Sequence, residues 1–150
     1  MLIPRPYAVT EGTKMNLDLT SFVNAIARLE EGLSRYQNDT EDTQIRDGLI
    51  QRFEFTYEIA HKMLKRYLET SSPTPDEFDK ADFQYLVRTG NEKGLLLGEW
   101  SKWRGYRNMR SKTSHTYNEE IALDVVEGIP DFLDDARYLC EQLKDKNSRE

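Results

Sequence analysis

Arg110, His115 and Tyr117 fall within the short run RSKTSHTY, residues 110–117, which holds one of the two histidines in the chain. The arginine offers a planar, permanently charged fork that matches the oxygens of a phosphate. Histidine is the side chain best suited to move protons near neutrality. Arg110 and His115 could therefore act as a catalytic pair that grips a phosphate and carries a proton, with no metal. The competing reading is a polar junction between two helices. In one continuous helix the offset between Arg110 and His115 turns about 140°, so the pair cannot form a single stripe. A junction suits it better. Thr116-Tyr117-Asn118-Glu119 fits the capping-box pattern, which predicts a helix starting at Thr116, with His115 just before it and Tyr117 in its first turn. Free backbone N–H groups and the helix dipole would favour an anion there.

The surroundings are basic in an otherwise acidic chain. Between Gly94 and Tyr117, Lys102, Arg104, Arg107, Arg110 and Lys112 stand against Glu99 alone, while the whole chain carries a net charge of −6. Arg104, Arg107 and Lys112 are the candidate phosphate or nucleic-acid contacts around Arg110, although a solvated helix face would explain the same cluster. The overall negative charge argues against broad electrostatic capture of nucleic acid. The sequence has no Gly-rich phosphate loop, no His-x-x-x-His pair and no cysteine cluster, so neither a metal nor a cofactor is expected. His61 follows the apolar run YEIA and reads as a packed histidine.

Hydrophobic residues make up 37% and charged residues 32% of the chain, the balance of a soluble protein. No apolar run reaches the roughly 18 residues of a membrane span, and the opening MLIPRPYAVTEGTK lacks the apolar centre of a signal peptide. The single cysteine, Cys140, falls on an apolar helix face and cannot form an internal disulfide, which fits a core residue in a cytoplasmic protein.

The elements that must position this run follow from hydrophobic spacing. Residues 1–16 contain Pro4, Pro6 and Gly12 without periodicity and are expected to be a flexible arm. Thr20 then reads as an N-cap ahead of Phe22, Ile26, Leu29, Leu33 and Tyr36 at spacings of three or four. From about Thr43 to Thr70, Ile45, Leu49, Phe53, Tyr57, Ala60, Leu64 and Leu68 form one stripe of a long helix. Pro75, Asp76 and Glu77 suit the first turn of a third helix, which carries Phe78, Ala81, Tyr85 and Leu86 and stops near Gly90. A fourth runs from about Leu95 to Arg110. The last shows Ile121, Val125, Phe132, Ala136, Leu139 and Leu143, with a kink or short break at Pro130. The expected fold is all-α, an antiparallel up-and-down bundle of about five helices over 17–146, with a tail at 147–150. Trp100, Trp103 and Tyr106 on one short helix exceed what a small core readily absorbs, which predicts a two-fold homodimer.

The stretch RDGLIQRFEFTYEIAHKMLKRYLE at 46–69, taken with RSKTSHTYNEEIA at 110–122, resembles the HEPN superfamily, and within it the nucleotidyltransferase substrate-binding proteins. The resemblance covers roughly residues 17–145. It implies a small helical bundle, usually a dimer, encoded beside a minimal nucleotidyltransferase. It also implies that Arg110 and His115 form a metal-independent ribonuclease site in a cleft to which both protomers contribute. Related gene pairs behave as toxin and antitoxin, the nucleotidyltransferase attaching AMP to the motif tyrosine, here Tyr117. An older reading of the group is a non-catalytic subunit that presents a nucleotide or other substrate to the partner enzyme. Two positions depart from the pattern: Ser111 stands where relatives often have Asn or Asp, and His61 where they often have Trp.

Overall fold

Local capping chemistry decides where each helix of this chain begins. The computed structural model describes residues 17–149; the arm expected at 1–16 lies outside them. Five helices follow in order: α1 (Thr20–Asn38), α2 (Thr43–Ser71), α3 (Phe83–Glu92), α4 (Trp100–Lys112) and α5 (Glu119–Arg149). Short 3-10 turns at Pro75–Phe78 and Thr113–His115 complete the order, and the described residues contain no strand. The fold is the all-α antiparallel bundle expected. None of its helices is long and apolar enough to cross a membrane.

Asp42 opens α2 by accepting the N–H groups of Gln44 and Ile45 at 2.9 and 3.1 Å, the ordinary N-cap contact. At α1 the cap expected at Thr20 is displaced. Thr20 is already helical, and its N–H is taken by Asp18 Oδ1 at 3.0 Å. The third helix expected from Pro75 is two elements. Pro75 opens only a 3-10 turn, because Asp82 accepts the Tyr85 N–H at 2.9 Å and starts α3 afresh. That helix ends at Glu92, near Gly90 as expected, although Gly90 is not itself the stop. It is buried within α3, and the chain leaves the helix at Gly94, whose φ of 74° is the left-handed conformation that favours glycine. Leu95 N–H then bonds Gly90 O at 2.9 Å and Gly94 N–H bonds Asn91 O at 3.1 Å, a Schellman stop. This stop leaves Leu95 and Leu96 as buried loop residues, so α4 begins at Trp100 rather than at Leu95.

α2 is the centre of the bundle, packed by α1 on one side and by α3, α4 and α5 on the others. Its Phe53 meets Phe132 of α5 edge-on with centroids 5.0 Å apart, and Phe132 meets Tyr106 of α4 at 5.2 Å. Trp103 is 1% exposed and Tyr106 4% exposed. The core of a single chain therefore absorbs Trp103 and Tyr106, two of the three aromatics that were expected to require a second copy, while Trp100 is partly buried against it. Cys140 is buried in the same core, as expected, and burial pushes its thiol pKa up. α5 runs unbroken through Pro130, and it continues to Arg149 through the segment expected to be a tail. Asn147 in that segment exchanges two hydrogen bonds with the Leu17 backbone, at 2.8 and 3.3 Å.

Two features fix α4 against α5. Gly128 of α5 leaves room for the Met109 side chain of α4; a Cβ there would meet Met109 Sδ at 2.6 Å, so the flexible thioether would have to move. At the other end of α4, Asp135 of α5 is 1% exposed. Its carboxylate accepts the Tyr106 hydroxyl and pairs with Lys102 at 3.4 Å. Burial, and then the bond to Asp135, raise the Tyr106 pKa far above that of a free phenol.

Candidate functional site at the end of α4

Arg110 occupies the last full turn of α4, where it faces α2. Its Nε donates to Glu58 Oε2 at 2.8 Å. Its Nη1 donates to Glu54 Oε2 at 3.3 Å and to the Thr113 hydroxyl at 3.1 Å. Thr113, buried in the following 3-10 turn, also hydrogen-bonds Glu54 through its hydroxyl. Glu54 and Glu58 stand four residues apart on α2, one helical turn, which places both carboxylates on the side that receives the arginine. Nη2 makes no hydrogen bond within the described residues. The arginine is thus held from two sides with one amino group left over.

His115 ends the 3-10 turn and is exposed. Tyr117 follows in the connecting turn, 87% exposed, with its ring centroid 6.1 Å from that of His115. The capping box expected at Thr116 does not form. Asn118 caps α5 by accepting the Ile121 N–H at 3.2 Å, while the Thr116 hydroxyl donates back to Thr113 O at 3.2 Å. Tyr117 consequently lies before α5 and not in its first turn. The anion expected at that helix start meets competition as well. Glu119 and Glu120 occupy the first turn, and Arg46 of α2 pairs with Glu119 at 3.0 Å. These carboxylates already answer the positive end of the helix dipole.

The structure thus brings Arg110, His115 and Tyr117 to one corner, although no hydrogen bond joins Arg110 to His115 among the described residues. Of the accompanying cations, Arg104 and Lys112 are exposed. Arg107 lies over the Trp100 ring with Cζ 5.1 Å from its centroid. None of the three forms an ion pair within the described residues. Arg107 and Arg110 both lie near Tyr57. Burial raises the pKa of that phenol to about 12, and the two cations oppose the rise. Ser111 turns back onto its own helix and donates to Asn108 O at 2.8 Å. The polar companion of the arginine is therefore Thr113, two residues further along. His61 packs on Phe83 with centroids 4.4 Å apart, and burial lowers its pKa. Among the described residues no group of three or more His, Cys, Asp or Glu is placed to hold a metal ion.

Reading the sequence alone missed Glu54, Glu58 and Thr113. The available signal was a pair of glutamates one turn apart beside the apolar stripe of α2, in the segment that carries the resemblance.

Fold and corner together define a helical bundle with a polar Arg–His–Tyr junction opposite paired glutamates. The profile of the family described as "Nucleotidyltransferase substrate binding protein like" matches residues 17–145, and the chain belongs to that family. A relative from Haemophilus influenzae named "Probable ribonuclease HepT" is 43% identical over 107 residues, 71% of this chain and 72% of that one. A second similarity is to the solved structure of HI0074 from Haemophilus influenzae, described as revealing the fold of a substrate-binding domain of a nucleotidyltransferase. It superposes with a TM-score of 0.79 at 35% identity, covering 85% of this chain and 99% of that one.

Proposed function

We propose that this protein is the HEPN subunit of a two-gene pair with a minimal nucleotidyltransferase, and that it cleaves RNA without a metal. The observation that carries the reading is Arg110: a guanidinium anchored by Glu54 and Thr113 and contacted by Glu58, with Nη2 making no hydrogen bond among the described residues, one short turn from an exposed His115. In the proposed reaction the ribose 2′-oxygen attacks phosphorus and the bond from phosphorus to the 5′-oxygen breaks. One proton leaves the 2′-hydroxyl and one reaches the departing oxygen. His115 serves as base or acid at one of these two positions, and in a homodimer two copies of His115 could serve both. Arg110 holds the scissile phosphate and stabilises the charge that grows in the transition state. Arg104, Arg107 and Lys112 guide the flanking phosphates.

The test is RNA cleavage by the purified protein in EDTA, compared with His115→Ala. Cleavage that disappears in the variant is the expected result; equal activity in both proteins overturns the proposal. Light scattering should find a dimer, the support now being the composite site and not surplus aromatic surface.

A second reading has its own observation. The two carboxylates on Arg110 already neutralise it, which suits a subunit that binds a nucleotide weakly and releases it to a partner without reaction. Nucleotide binding with no RNA cleavage, and no growth inhibition on expression, would favour that reading.

The exposure of Tyr117 makes it accessible to a modifying enzyme. Transfer of AMP from ATP to its hydroxyl, with pyrophosphate leaving and the phenol proton lost, would set a negative phosphodiester beside Arg110 and cover the corner with adenosine. Co-expression with the neighbouring nucleotidyltransferase should then add one or more AMP units to the mass, and none in Tyr117→Phe. An unchanged mass with activity still neutralised by the partner would assign inhibition to binding alone.

A further inference from the structure

Glu54 and Glu58 touch the same guanidinium at different nitrogens, and the difference has chemical content. A guanidinium offers a side edge, where Nε–H and one Nη2–H point the same way and take two oxygens of a phosphate together. Glu58 sits on that edge, using only Nε at 2.8 Å, and its side chain is 57% exposed. Glu54 sits across from it at Nη1 and is 30% exposed. It is further tied by the hydroxyl of Thr113, which is buried.

Resting on the reading of Arg110 as the phosphate-gripping group, the structure assigns the two carboxylates of α2 opposite roles. Glu54, with Thr113, is a positioning residue that keeps Nη1 anchored through the whole cycle. Glu58 is a displaceable guard that occupies the phosphate edge while the site is empty. An arriving phosphodiester exchanges one oxygen for the Glu58 carboxylate at Nε and gains a second contact at Nη2, which makes no hydrogen bond among the described residues. Glu58, being exposed, swings into water at little cost. Glu54 is exchanged less readily, because it is less exposed and its departure breaks two contacts at once, to Nη1 and to the Thr113 hydroxyl, which would be left with the Arg110 carbonyl oxygen at 2.8 Å. The pair therefore separates orientation from occupancy: one carboxylate sets the geometry of the arginine and the other sets how strongly it attracts phosphate.

Steady-state cleavage of a short single-stranded RNA, together with binding of the uncleavable all-deoxy oligonucleotide of the same sequence, tests the assignment. Glu58→Ala should lower KM and the oligonucleotide Kd by about twofold to fivefold, the scale of one surface ion pair, with kcat retained. Glu54→Ala and Thr113→Val should lower kcat by about tenfold to a hundredfold, the scale of a misplaced catalytic group, with KM no higher than in the parent. Thr113→Ser, which restores the hydroxyl, should recover kcat. A merely structural role for Glu54 would lower the melting temperature and kcat in parallel, and Thr113→Ser would then give no selective rescue. Equal effects of Glu54→Ala and Glu58→Ala on both kcat and KM overturn the assignment while leaving the ribonuclease reading intact. A parent protein that cleaves no RNA, but whose oligonucleotide Kd still tightens in Glu58→Ala, overturns the ribonuclease reading and keeps Glu58 as the guard.

Discussion

Two charged clusters lie along α4, and they are built in opposite senses. At its N-terminal half, Asp135 enters from α5 and is buried, with the Tyr106 hydroxyl and Lys102 brought to it. At its C-terminal end, Arg110 reaches the surface and the carboxylates of Glu54 and Glu58 come to it from α2. The buried acid must keep its partners, since a carboxylate removed from water is costly unless it is hydrogen-bonded. The arginine remains partly solvated and can change partners at small cost. The contrast teaches that similar ion pairs on one helix serve different ends: the first fixes α4 on α5, while the second is free to trade a carboxylate for a ligand.

The comparison breaks most visibly at the exposed corner. His115→Ala should reduce RNA cleavage by about a hundredfold to ten-thousandfold, the usual contribution of a general acid or base. Its melting temperature should not move, because the ring is exposed. A large fall in melting temperature would place His115 with the structural cluster instead. Arg110→Lys comes next. Lysine keeps the charge but cannot hold Glu54 and Thr113 while presenting a planar two-pronged edge to a phosphate. Activity should drop about a hundredfold, while the loss of surface ion pairs lowers the melting temperature by no more than about 3 °C. Unchanged activity would make Arg110 an ordinary surface charge.

The inward cluster should respond the other way. Tyr106→Phe leaves the buried Asp135 carboxylate with Lys102 alone, at a cost of about 2 kcal/mol. That corresponds to a fall of roughly 4–8 °C in melting temperature, with cleavage per folded molecule preserved. Calorimetry and kinetics on the same sample decide it; a kinetic defect without a thermal one would erase the distinction between the clusters.

The smallest effect concerns pH. Burial lowers the His61 pKa, with Glu58 opposing and Lys65 reinforcing the shift. The unfolded chain then binds the proton more readily than the folded one. Stability is therefore complete above a pH of about 6.5 and declines as pH falls from there through the lowered folded value. His61→Phe should flatten this slope in thermal melts. An identical slope in both proteins would locate the sensitivity elsewhere.

Much of the bundle was legible in the sequence, because the stripes of α1 and α2 repeat every three or four residues and are buried as the spacing predicts. The region between Ser71 and Trp100 was not. Pro75 gives a strong start signal, but it cannot reveal that Asp82 will start a second helix, which runs to Glu92 before the turn at Gly94 ends it. Of the kink or short break expected at Pro130, the break does not occur, since tertiary packing of Ile129, Phe132 and Leu133 around Pro130 holds α5 together. At the candidate site, Arg110, His115 and Tyr117 were readable as a junction because they are neighbours in the chain. Glu54 and Glu58 reach Arg110 across more than fifty residues, with sequence separations of 56 and 52. Local spacing carries no information on such a pairing; only the folded α2–α4 contact supplies it.

The exchange between the Asn147 side-chain amide and the Leu17 backbone joins the two ends of the described bundle with a donor and an acceptor each way. The amide acts there like one rung of a strand ladder set between two helices. Its consequence is topological: the path from Leu17 to Asn147 is nearly a closed ring, so the order in which the helices are threaded matters less than their adjacency. A chain re-opened at the exposed turn between Asn38 and Thr43, with a short linker from the end of α5 back to Leu17, would keep every helix whole. The Arg110 corner, assembled from α2, α4 and the turn that follows α4, would be carried through such a rearrangement unchanged.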